Sequence, residues 1–117
     1  MSEQEIAVGP MDELEDRGCR EFEIGEGDWP FRGFVVRKGD AVFAYRNFCA
    51  HVGHPLNWSP NKFLTKDRSA IICASHGATY EIETGRCFAG PGSGGSLRQV
   101  EVSIRDGIIY VTGPTSM

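Results

Sequence analysis

Two short stretches of this 117-residue chain pair a thiol with an imidazole: Cys49-Ala50-His51 and Cys73-Ala74-Ser75-His76. A thiolate and an imidazole this close can face one metal centre if the backbone bends between them. Gly53 and Gly77, just behind the pairs, permit such bends because glycine enters left-handed backbone without steric cost. Together the pairs give two sulfur and two nitrogen donors, adequate for a structural zinc ion or for an iron-sulfur centre. Zinc loops typically place about two to four residues between the ligands of a pair, so the single residue inside Cys49-Ala50-His51 suits zinc less well. One pair alone would carry little, since isolated cysteines and histidines are more often buried filler or solvated side chains.

The pairs need strands that deliver them and loops that turn them inward. Segments with alternation and β-branched or aromatic residues predict strands at Glu5–Val8, Glu21–Ile24, Gly33–Arg37, Val42–Asn47, Ala70–Cys73, Thr79–Ile82, Val100–Ile104 and Ile108–Val111. Lys38-Gly39-Asp40, Thr84-Gly85 and Asp106-Gly107 punctuate them as tight reversals. Each Cys/His pair thus falls where a strand gives way to a loop. Residues 11–17 predict one short helical turn ended by Gly18. Residues 48–69 and the glycine-rich stretch 89–96 do not read as strands, and loops this long in a compact domain usually bind something.

Composition agrees with this arrangement. Fifteen glycines and six prolines interrupt apolar runs too short for a helix bundle, which points to a turn-rich all-β protein. At this length one core, and so one domain over 1–117, is expected. The net charge of -4 is uneven: residues 1–30 hold ten acidic and two basic side chains, whereas 31–117 hold six and ten. No clustered basic stripe with interleaved aromatics is present, which argues against nucleic acid as a partner. Met1-Ser2-Glu3-Gln4-Glu5 lacks the basic and apolar regions of a secretory leader, and no run approaches a membrane span, so a cytoplasmic protein with no membrane partner is expected. In a reducing compartment Cys19 and Cys87 are expected as free thiols.

The strings CAHVGHPL and CASHGATY resemble the Rieske family, whose pattern is Cys-x-His-x-Gly with a nearby Pro-Leu, followed by Cys-x-x-His-Gly. The resemblance continues through Thr84-Gly85-Arg86, the loop containing Pro91 and the closing strands, over roughly residues 31–112. It implies a Rieske-like fold, an antiparallel β-sandwich with a small cluster-binding subdomain formed by two loops at about residues 47–90. It also implies one [2Fe-2S] cluster, with Cys49 and Cys73 on an inner iron and His51 and His76 on an outer, solvent-facing iron. The segment between the pairs, residues 52–72, is longer than in compact members of the family. His54 lies where the family pattern has no ligand and reads as a neighbouring or surface histidine. Pro91 matches the loop that covers the cluster.

Replacing two thiolates by neutral imidazoles makes the site less negative and favours electron uptake. Added negative charge should raise the proton affinity of the imidazoles and couple the electron to a proton at high pH. High-potential relatives brace their loops with a disulfide at positions occupied here by His54 and Ser75, so that brace cannot form. They also carry a serine where this chain has Ala78, whereas Tyr80 matches a tyrosine that donates to a cysteine sulfur. A potential in the lower part of the Rieske range is therefore expected.

By the same resemblance the chain would be a soluble ferredoxin passing single electrons from a flavin reductase to a terminal oxygenase, and not an enzyme by itself. The alternatives are a tightly bound small subunit of a larger oxidoreductase, similar to the Rieske-like subunit of nitrite reductase, or a zinc module. Trp58 and Phe63 are expected to pack the long loop down, while Lys62, Lys66 and Arg68 would set positive charge beside the cluster end.

Overall fold

In a computed structural model the described residues are 3–48, 55–57, 59, 61–74, 77–90 and 95–115. They form three antiparallel sheets. The first pairs β1 (Glu3–Pro10), β9 (Ile108–Pro114) and β8 (Glu101–Arg105) in that order. The second is β2 (Cys19–Ile24), β3 (Phe31–Lys38) and β4 (Ala41–Arg46), and the third is β5 (Ile71–Ile72), β6 (Thr79–Tyr80) and β7 (Cys87–Ala89). The antiparallel all-β architecture expected from the sequence is present, and the small unit has its own sheet as well as loops.

Strand alternation explains how the layers stack. Side chains of successive strand residues point to opposite faces. On β3, Phe31 and Val35 enter one buried cluster, with Phe22 and Ile24 of β2, Ala44 of β4, and Ile109 and Val111 of β9. Phe34 and Val36 enter another, with Tyr45 of β4, Ile71 of β5, Tyr80 of β6 and Cys87 of β7. The middle sheet is therefore covered on both faces, which is why Phe31 and the run Gly33–Val36 of β3 are all buried.

Every strand predicted from alternation is found, with ends that differ by a few residues. β7 is added. Its three residues are too few to display a period, and Phe88 within it is exposed. The predicted helical turn over 11–17 shrinks to a 3₁₀ turn at Met11–Glu13. So short a helix has little stability of its own, and here Leu14 is drawn into the core while the Arg37 guanidinium binds the Met11 and Leu14 carbonyls. Asp106 and Gly107 both have positive φ, 54° and 75°, as a two-residue hairpin turn requires.

The third sheet is fastened to the second at several points. Tyr45 Oη donates to the Ile82 carbonyl at 2.6 Å, and Lys38 pairs with Glu83. Burial pushes the Tyr45 hydroxyl up to about 12, with Glu83 and Glu81 adding to the shift, so it remains a donor at any ordinary pH. Gly85 (φ 74°) lies on the Tyr45 ring, where a Cβ would come within 2.6 Å of a ring carbon.

Neither Cys19 nor Cys87 forms a disulfide, as expected. Among the described residues no helix is long and apolar enough to cross a membrane.

Two outcomes follow. A Cβ at Gly33 would press on the Phe22 ring and sit 2.8 Å from the Tyr45 carbonyl oxygen. Gly33→Ala should lower stability by about 1–3 kcal/mol through overpacking, measured as a shift in the urea midpoint. Burial raises the Cys19 thiol to about 11, against weaker opposing effects of the Phe63 backbone and Arg68. The protonated form therefore dominates at pH 8, and iodoacetamide should label native Cys19 far more slowly than the unfolded chain, gaining rate only as pH approaches 11.

Candidate metal centre

Cys73 follows β5, and its side chain is fully buried in the cluster shared with Phe34, Leu56 and Tyr80. The strand places it there because Ile71 and Cys73 share a face, and Ile71 is itself fully buried. A tight turn then reverses the chain. Cys73 N–H donates to the Ala78 carbonyl at 2.8 Å, and Gly77 N–H donates to the Cys73 carbonyl at 2.8 Å. Gly77 has φ 75°, so the bend anticipated for this glycine is present. These bonds occupy the backbone on either side of the thiol.

Of the remaining sequence-predicted site residues, Tyr80 lies on β6 and is fully buried in the same cluster as Cys73. Ala78 is fully buried too. Cys49, His51, Gly53, His54, His76 and Pro91 lie outside the described residues, as do Trp58 and Ser75. The segments flanking them are described, and they converge. Leu56, on the return from the first pair, accepts a hydrogen bond at its carbonyl from Ala74 N–H at 2.8 Å. Gly90 (φ 80°), leading into the Pro91 loop, backs onto the turn after the second pair, where a Cβ would come within 2.8 Å of the Gly77 carbonyl oxygen. The return from the first pair and the entry to the Pro91 loop thus both meet the chain on either side of the second pair.

Asn47 is a residue that motif reading passed over. It is 3% exposed, a buried polar side chain in an apolar setting. Its Oδ1 accepts from Leu56 N–H at 2.8 Å, its Nδ2 donates to Asn57 Oδ1 at 2.9 Å, and its own N–H donates to the Arg32 carbonyl at 2.8 Å. Removing that oxygen would leave a buried N–H unpaired, a cost of about 1–3 kcal/mol. The available signal was an asparagine at a strand end, two positions before a possible ligand, where such side chains commonly bond nearby backbone.

The segment between the pairs is packed down by Phe63, 1% exposed and stacked on Phe34 with ring centres 4.0 Å apart. Ile72 N–H donates to the Phe63 carbonyl, and Leu64 bridges Ile71, so the segment doubles back along β5. Asn61 and Glu21 exchange two hydrogen bonds of 2.8 Å and tie it to β2. Asp67 is held down to about 2 by hydrogen bonds from Ser69 and Thr65, which form the turn there. Positive charge expected of Lys62, Lys66 and Arg68 is not a uniform patch. These residues line a groove of about 710 Å³ together with Asp12, Glu13 and Glu15, and Arg68 pairs with Glu15 at 3.2 Å.

This arrangement suits an iron-sulfur cluster. A soft thiol is withdrawn from water, its neighbouring backbone is already satisfied, and glycine lets two loops approach by their main chains.

A family model for the Rieske [2Fe-2S] domain matches residues 4–102. No curated protein matches the sequence significantly. Among solved structures, the ferredoxin of carbazole 1,9a-dioxygenase from Nocardioides aromaticivorans IC177 is 22% identical with a TM-score of 0.70, over 92% of this chain and 96% of that one. A complex of reduced oxygenase and oxidized ferredoxin in carbazole 1,9a-dioxygenase gives 23% identity and a TM-score of 0.71, over 97% and 96% of the two chains. The terminal oxygenase of carbazole 1,9a-dioxygenase from Novosphingobium sp. KA1 gives 19% and 0.70, over 92% of this chain but 29% of that one. These likenesses are of fold. The family match spans most of the sequence, and the cofactor it carries replaces the zinc alternative with a [2Fe-2S] cluster. The buried thiol, the glycine-lined loop junction and that match lead to one conclusion: the chain belongs to the Rieske [2Fe-2S] domain family.

Proposed function

We propose that this protein is a soluble Rieske ferredoxin, a single domain whose cluster unit spans about residues 47–90, and that it passes single electrons from a flavin reductase to a terminal oxygenase in the cytoplasm. Cys49, His51, Cys73 and His76 are the ligands in this reading. The observation that carries the carrier role is the nearly end-to-end likeness to a dioxygenase ferredoxin, 92% of this chain against 96% of that one. The likeness to a terminal oxygenase, by contrast, takes in 29% of that chain.

When bound, the cluster supplies reversible one-electron chemistry at a potential between roughly -150 and +300 mV. The chain's residues set where in that range it falls. Cys73 would contribute a thiolate from the buried side, and Cys49 its counterpart from the first loop. His51 and His76, neutral donors, would reduce the negative charge that must accumulate. Ala78 offers no hydroxyl to stabilise that charge, and His54 and Ser75 form no disulfide brace between the loops. Tyr80 shares the buried cluster with Cys73, a setting suited to a donor toward sulfur.

Purified protein should contain iron and sulfide, and its reduced form should give the electron paramagnetic resonance spectrum of mixed cysteine and histidine ligation. Cys49→Ser or Cys73→Ser should abolish iron binding, and unchanged iron content in either variant would refute the ligand assignment. Redox titration should place the wild type in the lower part of the Rieske range, with Ala78→Ser shifting it upward and Tyr80→Phe downward. Reconstitution with a flavin reductase and a terminal oxygenase should support oxygenation only when this protein is present.

A further inference from the structure

We propose that Asn47 is a positioning residue for the cluster, holding the two described ends of the first ligand segment together and in register with the second pair. The inference rests on the ligand assignment above and concerns a residue that supplies no ligand. Asn47 ends the run of β4, where its N–H extends the ladder by donating to the Arg32 carbonyl at 2.8 Å. Its backbone is therefore fixed to the middle sheet. Its side chain accepts from Leu56 N–H at 2.8 Å, joining the residue two before Cys49 to one on the far side of the first pair.

Leu56 passes the constraint on. Its side chain is fully buried in the cluster that contains Cys73, and its carbonyl accepts from Ala74 N–H, the residue directly after Cys73, at 2.8 Å. A continuous chain of contacts thus runs from the β3–β4 ladder through the Asn47 amide and the Leu56 peptide to the backbone of the second pair. The amide has one usable orientation. Its oxygen must face the Leu56 N–H, which leaves Nδ2 to donate to Asn57 Oδ1 at 2.9 Å, and Asn57 Nδ2 in turn donates to the Ser59 carbonyl. Asn57 also carries the hold toward the segment leading to the second pair. Residues that fix ligand geometry without touching the metal commonly alter metal affinity about ten- to hundredfold when replaced.

The test compares three variants at position 47 with Ile109→Ala, which opens a cavity in the cluster on the other face of the middle sheet, a cluster that contains neither Asn47 nor Leu56. Asn47→Ala and Asn47→Leu remove the acceptor, and Asn47→Asp keeps it. Iron release to a chelator is followed at denaturant concentrations chosen to give all proteins the same global stability. Asn47→Ala and Asn47→Leu should release iron about ten- to hundredfold faster than Ile109→Ala and show shifted electron paramagnetic resonance g-values. Asn47→Asp should release iron more slowly than Asn47→Leu, because the oxygen facing Leu56 is retained, but faster than wild type, because a carboxylate cannot donate to Asn57 Oδ1. Equal release from Asn47→Ala and Ile109→Ala, or release from Asn47→Asp as fast as from Asn47→Leu, would overturn the positioning role while leaving the ligand assignment intact. Should Asn47→Ala not accumulate, the comparison of Asn47→Leu with Asn47→Asp decides in the same way. A wild type without iron and sulfide would overturn the ligand assignment and this inference together.

Discussion

The structure depends on β3 being buried on both faces. Phe31 and Val35 serve one apolar cluster, and Phe34 and Val36 serve the other. Each face alone would be an ordinary half-buried sheet. With both covered, the middle sheet becomes a rigid partition, and the small sheet that carries Cys73 takes its position from it. Burying apolar area on two sides contributes roughly 25 cal/mol for each Å² withdrawn from water, which is the main source of stability available to so short a chain.

Directional contacts refine what burial leaves loose. Apolar packing of Phe63 on Phe34 brings the segment between the pairs down but does not fix its register. The Tyr45 hydroxyl on the Ile82 carbonyl, the Asn61–Glu21 exchange and the turn around Asp67 do so at separate points. Each is worth little alone, on the order of 1 kcal/mol. Their value lies in choosing one arrangement among several that would bury similar area.

Much of this was legible in the amino-acid order. Alternation marked the strands from β1 to β6 and the closing β8 and β9, since period-two patterning reports burial directly. The Asp106-Gly107 reversal was legible for a local reason, because two consecutive positive φ values select those residues. The spacing of the Cys and His pairs pointed to a four-donor site, and the family resemblance supplied the nature of the metal group. β7 was hidden because three residues show no period, and its pairing with β6 is a long-range contact. The collapse of the 11–17 turn depended on Arg37, distant in sequence. The mixed charge of the groove near Arg68 was hidden for the same reason, since Glu15 reaches it only in the folded chain.

Where Gly90 lies against Gly77 and Ala78, two loops are separated by main-chain atoms with almost no side chain between them. Most contacts inside proteins adjust by rotamer changes, which let neighbouring segments drift by fractions of an ångström. Here that freedom is missing. The gap can change only through the torsions of the main chain itself, so any side chain added at position 90 would have to be accommodated by moving backbone rather than by a rotamer.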